Sequence, residues 1–126
     1  AAGAAGAVEA RFQRITTVAE LDAALRSAGR PVMLDFYADW CVACKEMAHL
    51  TFSDPAVQGR LDKALLLQAD VTADSAEAKA LLKRFGLFGP PAVLFFNAQG
   101  QESAAARTIG YEAPDIFARR LDAAQL

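Results

Sequence analysis

Val32-Met33-Leu34-Asp35-Phe36-Tyr37-Ala38-Asp39-Trp40-Cys41-Val42-Ala43-Cys44-Lys45 runs from a near-continuous apolar stretch into two cysteines three residues apart, the only cysteines in the chain. Pro31 opens the apolar stretch, which reads through Tyr37 as a central β-strand buried on both faces. A helix is expected to follow, from about Cys41 to Leu50. The spacing of Cys41 and Cys44 puts both sulfurs within one helical turn, where they can close into a disulfide or open into a dithiol. With Cys41 at the helix N-terminus, the unpaired N–H groups and the dipole there favour a thiolate over a thiol. The thiolate is the form that attacks disulfides. The pair reads as a redox site.

Around this unit the chain alternates extended and helical patterns. Phe12 to Ile15 reads as a short first strand. Thr17-Val18-Ala19-Glu20 is a capping-box signature. Val18, Leu21, Leu25 and Ala28 then recur at helical spacing until Gly29 supplies a stop. Ser53-Asp54-Pro55 opens a short helix by N-cap and early-proline logic, and Leu65 to Val71 is the next strand. Asp74, with Glu77 three residues on, is expected to start a helix that uses Ala78, Leu81, Leu82 and Phe85 before Gly86 ends it. Ala92 to Phe96 is a third apolar strand. Asn97-Ala98-Gln99-Gly100 is a turn, and Arg107-Thr108-Ile109 returns as an antiparallel partner. Pro114 opens a final helix with Ile116, Phe117 and Leu121 on one face. The predicted class is α/β, in the order β-α-β-α-β-α-β-β-α, with a central mixed β-sheet flanked by helices on both faces.

A chain of 126 residues is one domain's worth, large enough for a proper core. A net charge of −2 without any basic cluster argues against a nucleic-acid partner. No stretch approaches the roughly 18 consecutive apolar residues of a membrane helix. Residues 1–10 are Ala/Gly-rich and lack the charged start and long apolar core of a secretory signal. Their composition fits a flexible linker or tether, leaving residues 11–126 as the folded domain. A zinc site would need more ligands than this chain supplies near the pair. The sole histidine, His49, lies five residues beyond Cys44, and there is no further cysteine. No metal or separate cofactor is therefore expected.

Asp35 to Lys45, the Gly89-Pro90-Pro91 loop and the order of elements together resemble the thioredoxin family, from about Phe12 to Leu126. Tyr37 to Glu46 followed by Thr51-Phe52-Ser53-Asp54-Pro55 resembles more narrowly the C-terminal domains of the DsbD family. Leu66-Leu67-Gln68-Ala69-Asp70-Val71-Thr72 and Leu94-Phe95-Phe96 resemble them too. The resemblance implies a thioredoxin fold and a protein-disulfide reductase activity. It implies a monomeric periplasmic domain of a larger bacterial inner-membrane protein. Such a domain accepts electrons from the membrane domain's cysteine pair and passes them to the N-terminal periplasmic domain of the same protein. Two other readings compete: a freestanding thioredoxin-like reductase, and a redox-inactive binding module on the same fold.

The resemblance also assigns roles. Cys41 is the nucleophile, expected to be partly exposed, and Cys44, one turn inside, resolves the mixed disulfide. Asp35 completes the candidate catalytic set. An acid in an apolar strand carries a desolvation cost unless it has a partner or a job, and here it matches the family's buried acid behind the cysteines. Burial should push its carboxyl up, and a nearby thiolate would act in the same direction. Pro91 matches the family's cis-proline at the docking edge. Because Pro90 precedes it, the backbone N–H usual at that point is missing. Trp40 and Tyr37 are expected to form an apolar collar for docking, with core packing an equal reading for Tyr37, and Phe52 and Phe88 read equally as core or docking surface. Lys45 is expected to pair with Asp39 or Glu46. Gln68 stands where thioredoxin has a lysine, which removes a cationic neighbour from Asp35.

Overall fold

The computed structural model of the chain describes residues 11–126, so the expected linker at 1–10 lies outside the described residues. Strand β1 (Gln13–Ile15) leads into helix α1 (Val18–Ser27). The capping box forms as the sequence predicts. The Thr17 side chain accepts from the Glu20 N–H, and the Glu20 carboxylate accepts from the Thr17 N–H. Hydrogen bonds from the Thr16 hydroxyl and N–H, and then from Thr17, hold the Glu20 carboxyl below its ordinary value. Strand β2 (Val32–Tyr37) follows, with its first five residues buried.

Helix α2 (Val42–Glu46) carries Cys44 and continues into a π-helical turn, Met47–Thr51, closed by the Phe52 N–H on the Met47 carbonyl at 2.8 Å. The predicted single helix is thus α-helical only in its first half. Residue periodicity does not separate the two, because Met47, Ala48, Thr51 and Phe52 face the core in either geometry. Helix α3 (Pro55–Leu61) is capped by Asp54, strand β3 spans Leu65–Asp70, and helix α4 spans Ala76–Arg84. Here the expected start is corrected. Ser75, not Asp74, caps α4, its hydroxyl accepting from the Ala78 N–H at 3.1 Å. Asp74 sits in the left-handed region at φ 49°, which aspartate tolerates, so the chain turns one residue earlier and the extended cap falls on Ser75. Gly86, at φ +67°, ends α4 with its N–H on the Lys83 carbonyl. Strands β4 (Ala92–Phe96) and β5 (Thr108–Ile109) flank a short 3₁₀ turn at Ala104–Ala106, and helix α5 (Pro114–Ala123) closes the chain.

Among the described residues the five strands form one mixed sheet in the order β1-β3-β2-β4-β5. Strand β2 runs parallel to β3 and antiparallel to β4, which puts it at the centre. One face is filled by Leu21 and Leu25 of α1 and by Ala78 and Leu81 of α4, against Leu34 and Phe36. The other face is filled by Met47, Phe52, Leu61, Phe117 and Leu121, against Met33, Leu66 and Phe95. Phe52 packs edge-on to Phe117, so it is core. The alternation thus gives the expected architecture, a mixed central sheet with helices on both faces.

On the surface, Arg84 of α4 grips Asp22 of α1 through both carboxylate oxygens. That bond holds the Asp22 carboxyl below its ordinary 3.8. The folded chain therefore keeps Asp22 ionised more firmly than the unfolded one. Its contribution is complete above the unfolded value and fades as pH falls through the folded one. Asp22→Asn is expected to lower stability by about 0.5 kcal/mol at neutral pH, the scale of an exposed pair. Thermal unfolding of the two proteins should converge as pH falls below that range, and a gap that persists in acid would exclude the ion pair as its cause.

Candidate active site

The end of β2 and the start of α2 place the cysteines. Cys41 occupies the N-cap of α2 in extended conformation, and its Sγ receives the Cys44 N–H at 3.1 Å. The two cysteines are joined in a disulfide with their Cα atoms 5.3 Å apart. The amide aimed at the Cys41 sulfur is the partner a thiolate there would keep, and a donated hydrogen bond favours the charged form. Cys44 Sγ lies 3.8 Å from the Phe36 carbonyl oxygen.

Cys41 was expected to be partly exposed. In the closed disulfide it is 6% exposed, scarcely more than Cys44 at 5%. Its sulfur lies over the helix start, against the Cys44 amide. The exposed groups are its neighbours, Trp40 at 62% and Val42 at 73%. Trp40 is held in place, its indole N–H donating to the Thr72 carbonyl at 3.2 Å. The Asp39 N–H donates to the Thr72 hydroxyl at 2.8 Å. Thr72 belongs to the Gln68–Thr72 stretch of the resemblance, but no spacing rule links it to Trp40. Only the parallel pairing of β3 with β2 sets the two side by side.

Asp35 lies in β2, buried at 6% exposure. It shares a strand face with Met33, which packs in one cluster with Met47 of the active-site helix. Its Oδ2 accepts from the Gln68 side-chain N–H at 3.1 Å, across the β2–β3 register. Gln68 is itself 2% exposed. Tyr37, two residues on, is half-buried. Its hydroxyl accepts from Lys45 Nζ at 3.1 Å, and the ammonium sits 5.5 Å from the ring centroid. One bond of Lys45 thus runs to Tyr37, where α2 follows the end of β2.

The Pro90–Pro91 peptide is cis. The Pro91 carbonyl accepts from the Gly110 N–H at 3.1 Å, tying this loop to the end of β5. Ala92, the next residue, pairs with Phe36 on one side and Ile109 on the other. Pro91 therefore stands at the same end of the sheet as Tyr37 and the cysteine loop. Phe88 is fully exposed and Ile109 is 62% exposed. With Leu87 and Gly89 they line a shallow hollow of about 300 Å³. Phe88 therefore belongs to the surface and Phe52 to the core, a distinction that two aromatic letters in a sequence do not carry.

This geometry has close counterparts. The Thioredoxin-like family model matches residues 14–98. The thiol:disulfide interchange protein DsbD of Ralstonia nicotianae is 60% identical over 109 residues, which are 84% of this chain and 18% of that protein. DsbD of Cronobacter sakazakii is 57% identical over 111 residues, 87% of this chain and 19% of that one. The chain thus spans about a fifth of the length of these curated relatives. The crystal structure of the Neisseria meningitidis DsbD C-terminal domain in the reduced form is 40% identical, with a TM-score of 0.74. The match covers 87% of this chain and 97% of that one. A thioredoxin from Thermus thermophilus, 24% identical with a TM-score of 0.69, shares the fold.

Proposed function

Because the chain belongs to the thioredoxin-like family, among the DsbD C-terminal domains, we propose that its thiol–disulfide exchange serves as an electron relay inside a larger protein. The donor is a membrane-embedded dithiol and the acceptor is the N-terminal periplasmic domain of the same protein. The domain works on the periplasmic face of a bacterial inner membrane, with residues 1–10 as the tether. Among the described residues no helix is long and apolar enough to cross a membrane. The observation that carries the reading is the Cys41–Cys44 pair at the head of α2, flanked by the exposed Trp40 and Val42, with a buried acid, Asp35, in the strand that leads into it.

The steps follow from the positions. In the reduced chain the Cys41 thiolate attacks one sulfur of the partner's disulfide. An S–S bond to Cys41 forms, the partner's S–S bond breaks, and its second sulfur leaves as a thiolate. Cys44 then gives up its proton, with Asp35 as the receiving group, and attacks Cys41 Sγ. The Cys41–Cys44 disulfide closes and the partner departs as a dithiol. Two electrons have moved to the partner, whose two thiolates take up the proton held on Asp35 and one from water, and the membrane dithiol restores the starting state by the reverse exchange. Trp40, Tyr37, Pro90 and Pro91 shape the surface on which the partner backbone lies. The redox group is the cysteine pair itself, without a bound cofactor or metal.

Cys44→Ser tests both the order of attack and the partner. Mixed with the oxidised N-terminal domain of the same protein, this variant is expected to stop at a covalent one-to-one adduct. Mass spectrometry of the digested adduct should place the bond at Cys41. Failure to form any adduct with that domain, while small disulfides are still attacked, would exclude the relay and favour a freestanding reductase.

A further inference from the structure

Arg14, on the edge strand β1, was not singled out by its sequence context, yet it lies in one row with the buried acid. The parallel registers place Arg14 beside Gln68 and Gln68 beside Asp35, so the three side chains share one face across β1, β3 and β2. The Arg14 fork is divided. One nitrogen donates to Gln68 Oε1 at 3.1 Å, and the other donates to Asp70 Oδ2 at 2.9 Å. The other Asp70 oxygen accepts from the Thr72 N–H at 2.9 Å and from the Thr72 hydroxyl. Thr72 in turn holds Asp39 and Trp40. A continuous set of hydrogen bonds therefore runs from Asp35 to the edge of the sheet and back to the loop before Cys41.

We propose that Arg14 is a positioning residue for disulfide exchange, orienting the Gln68 amide onto Asp35 with one arm and bracing the Asp70–Thr72 turn that holds Trp40 with the other. The chemistry of the amide makes the first arm decisive. A guanidinium has donors only, so the Gln68 atom that faces it must be the carbonyl oxygen. The amide N–H₂ is then forced towards Asp35. Without Arg14 the amide is free to turn and offer Asp35 its oxygen, which suits a protonated carboxyl instead of a carboxylate. Two inter-strand steps separate Arg14 from Asp35, about 10 Å, and at that range an exposed charge is largely screened by salt. The influence of Arg14 passes through the amide.

Other groups that carry or gain charge near Asp35 are Tyr37 on its own strand, and Cys44 and Lys45 on the active-site helix. Asp70 lies two residues along β3 from Gln68, in register with Tyr37, and the β4 neighbour in register with Asp35 is the apolar Val93. Of these, Asp70 alone loses a partner when Arg14 is changed, and Arg14 itself is half exposed and outside the core.

The proposal rests on Asp35 as the proton-handling group, and its test reads that carboxyl directly. In the reduced chain, labelled with ¹³C at the aspartate side-chain carboxyl carbons and with the Asp35 signal assigned by its loss in Asp35→Asn, Arg14→Met is expected to raise the Asp35 titration midpoint by about 0.5–1 pH unit. Gln68→Met, which keeps the side-chain length, should raise it as well, and adding Arg14→Met to it should give no further rise. An unchanged midpoint in Arg14→Met would overturn the proposal. A rise that persists in full in the Gln68→Met background would also overturn it, by showing a through-space charge instead of an oriented amide. If Gln68→Met does not fold, the single variant still decides between a rise and none. Failure of Asp35 to act in exchange would appear separately, as an unchanged exchange rate in Asp35→Asn.

Discussion

Cys41→Ser is expected to abolish disulfide exchange completely, with the fold intact. Serine keeps the N-cap oxygen where the sulfur stood, and serine is among the preferred N-cap residues. The change therefore removes the nucleophile without disturbing the start of α2. A hydroxyl cannot enter a disulfide, so no mixed adduct can form at this position. Cys44 is no substitute. It lies inside the first turn with its sulfur over the Phe36 carbonyl, whereas Cys41 stands between the two exposed side chains, Trp40 and Val42. The measurement is the rate of dithiol formation in an oxidised partner domain, followed by thiol quantification. Residual turnover within tenfold of the parent chain would make Cys44 the attacking residue and reverse the assignment.

Asp35→Asn should slow the resolving step by about a hundredfold near pH 6.5, the lower end of what a positioned acid–base group supplies. The Cys44 thiol must lose its proton before it can attack, and an amide in place of the carboxylate cannot take one. The deficit should shrink as pH rises towards the ordinary thiol value of about 8.5, where hydroxide and bulk water take over. Asparagine keeps the shape and can still accept from Gln68 through its own carbonyl oxygen, so packing changes little. Stopped-flow release of the partner from the mixed disulfide, recorded between pH 6 and 9, separates the two roles. A slowing of equal size at every pH would assign Asp35 to structure alone.

The regular part of the fold was legible because periodicity answers directly to burial. Strands β2 and β4 have the predicted bounds, since strands buried on both faces read as near-continuous apolar runs, with Asp35 the one exception in β2. Elsewhere the local code was ambiguous. Thr17 and Glu20 form a reciprocal cap as read, but Asp74 and Glu77 do not, although the letters follow the same spacing. Whether a side-chain oxygen caps a helix depends on the backbone of its own residue, and at Asp74 that backbone is left-handed. The site divides in the same way. Cys41, Cys44, Asp35, Pro90, Pro91, Trp40 and Tyr37 are nameable from the stretch around the cysteines and one proline loop. Their mutual support is not, because Gln68, Thr72 and Arg14 come from strands 30 or more positions away from the residues they hold or are held by.

The sequence by itself determined that a dithiol pair follows a buried central strand with an acid inside it, and the thiol chemistry follows from those residue types. Only the tertiary structure decided how that acid is held. Parallel pairing of three strands lines up Arg14, Gln68 and Asp35, so the cation that the sequence appeared to remove from the acid's surroundings acts one strand further out, through an amide. The same pairing lends Thr72 to Trp40 and leaves the disulfide covered beneath an exposed collar. A residue type sets what a group can donate, accept or attack. Strand register, a long-range property that no local spacing encodes, sets which groups meet.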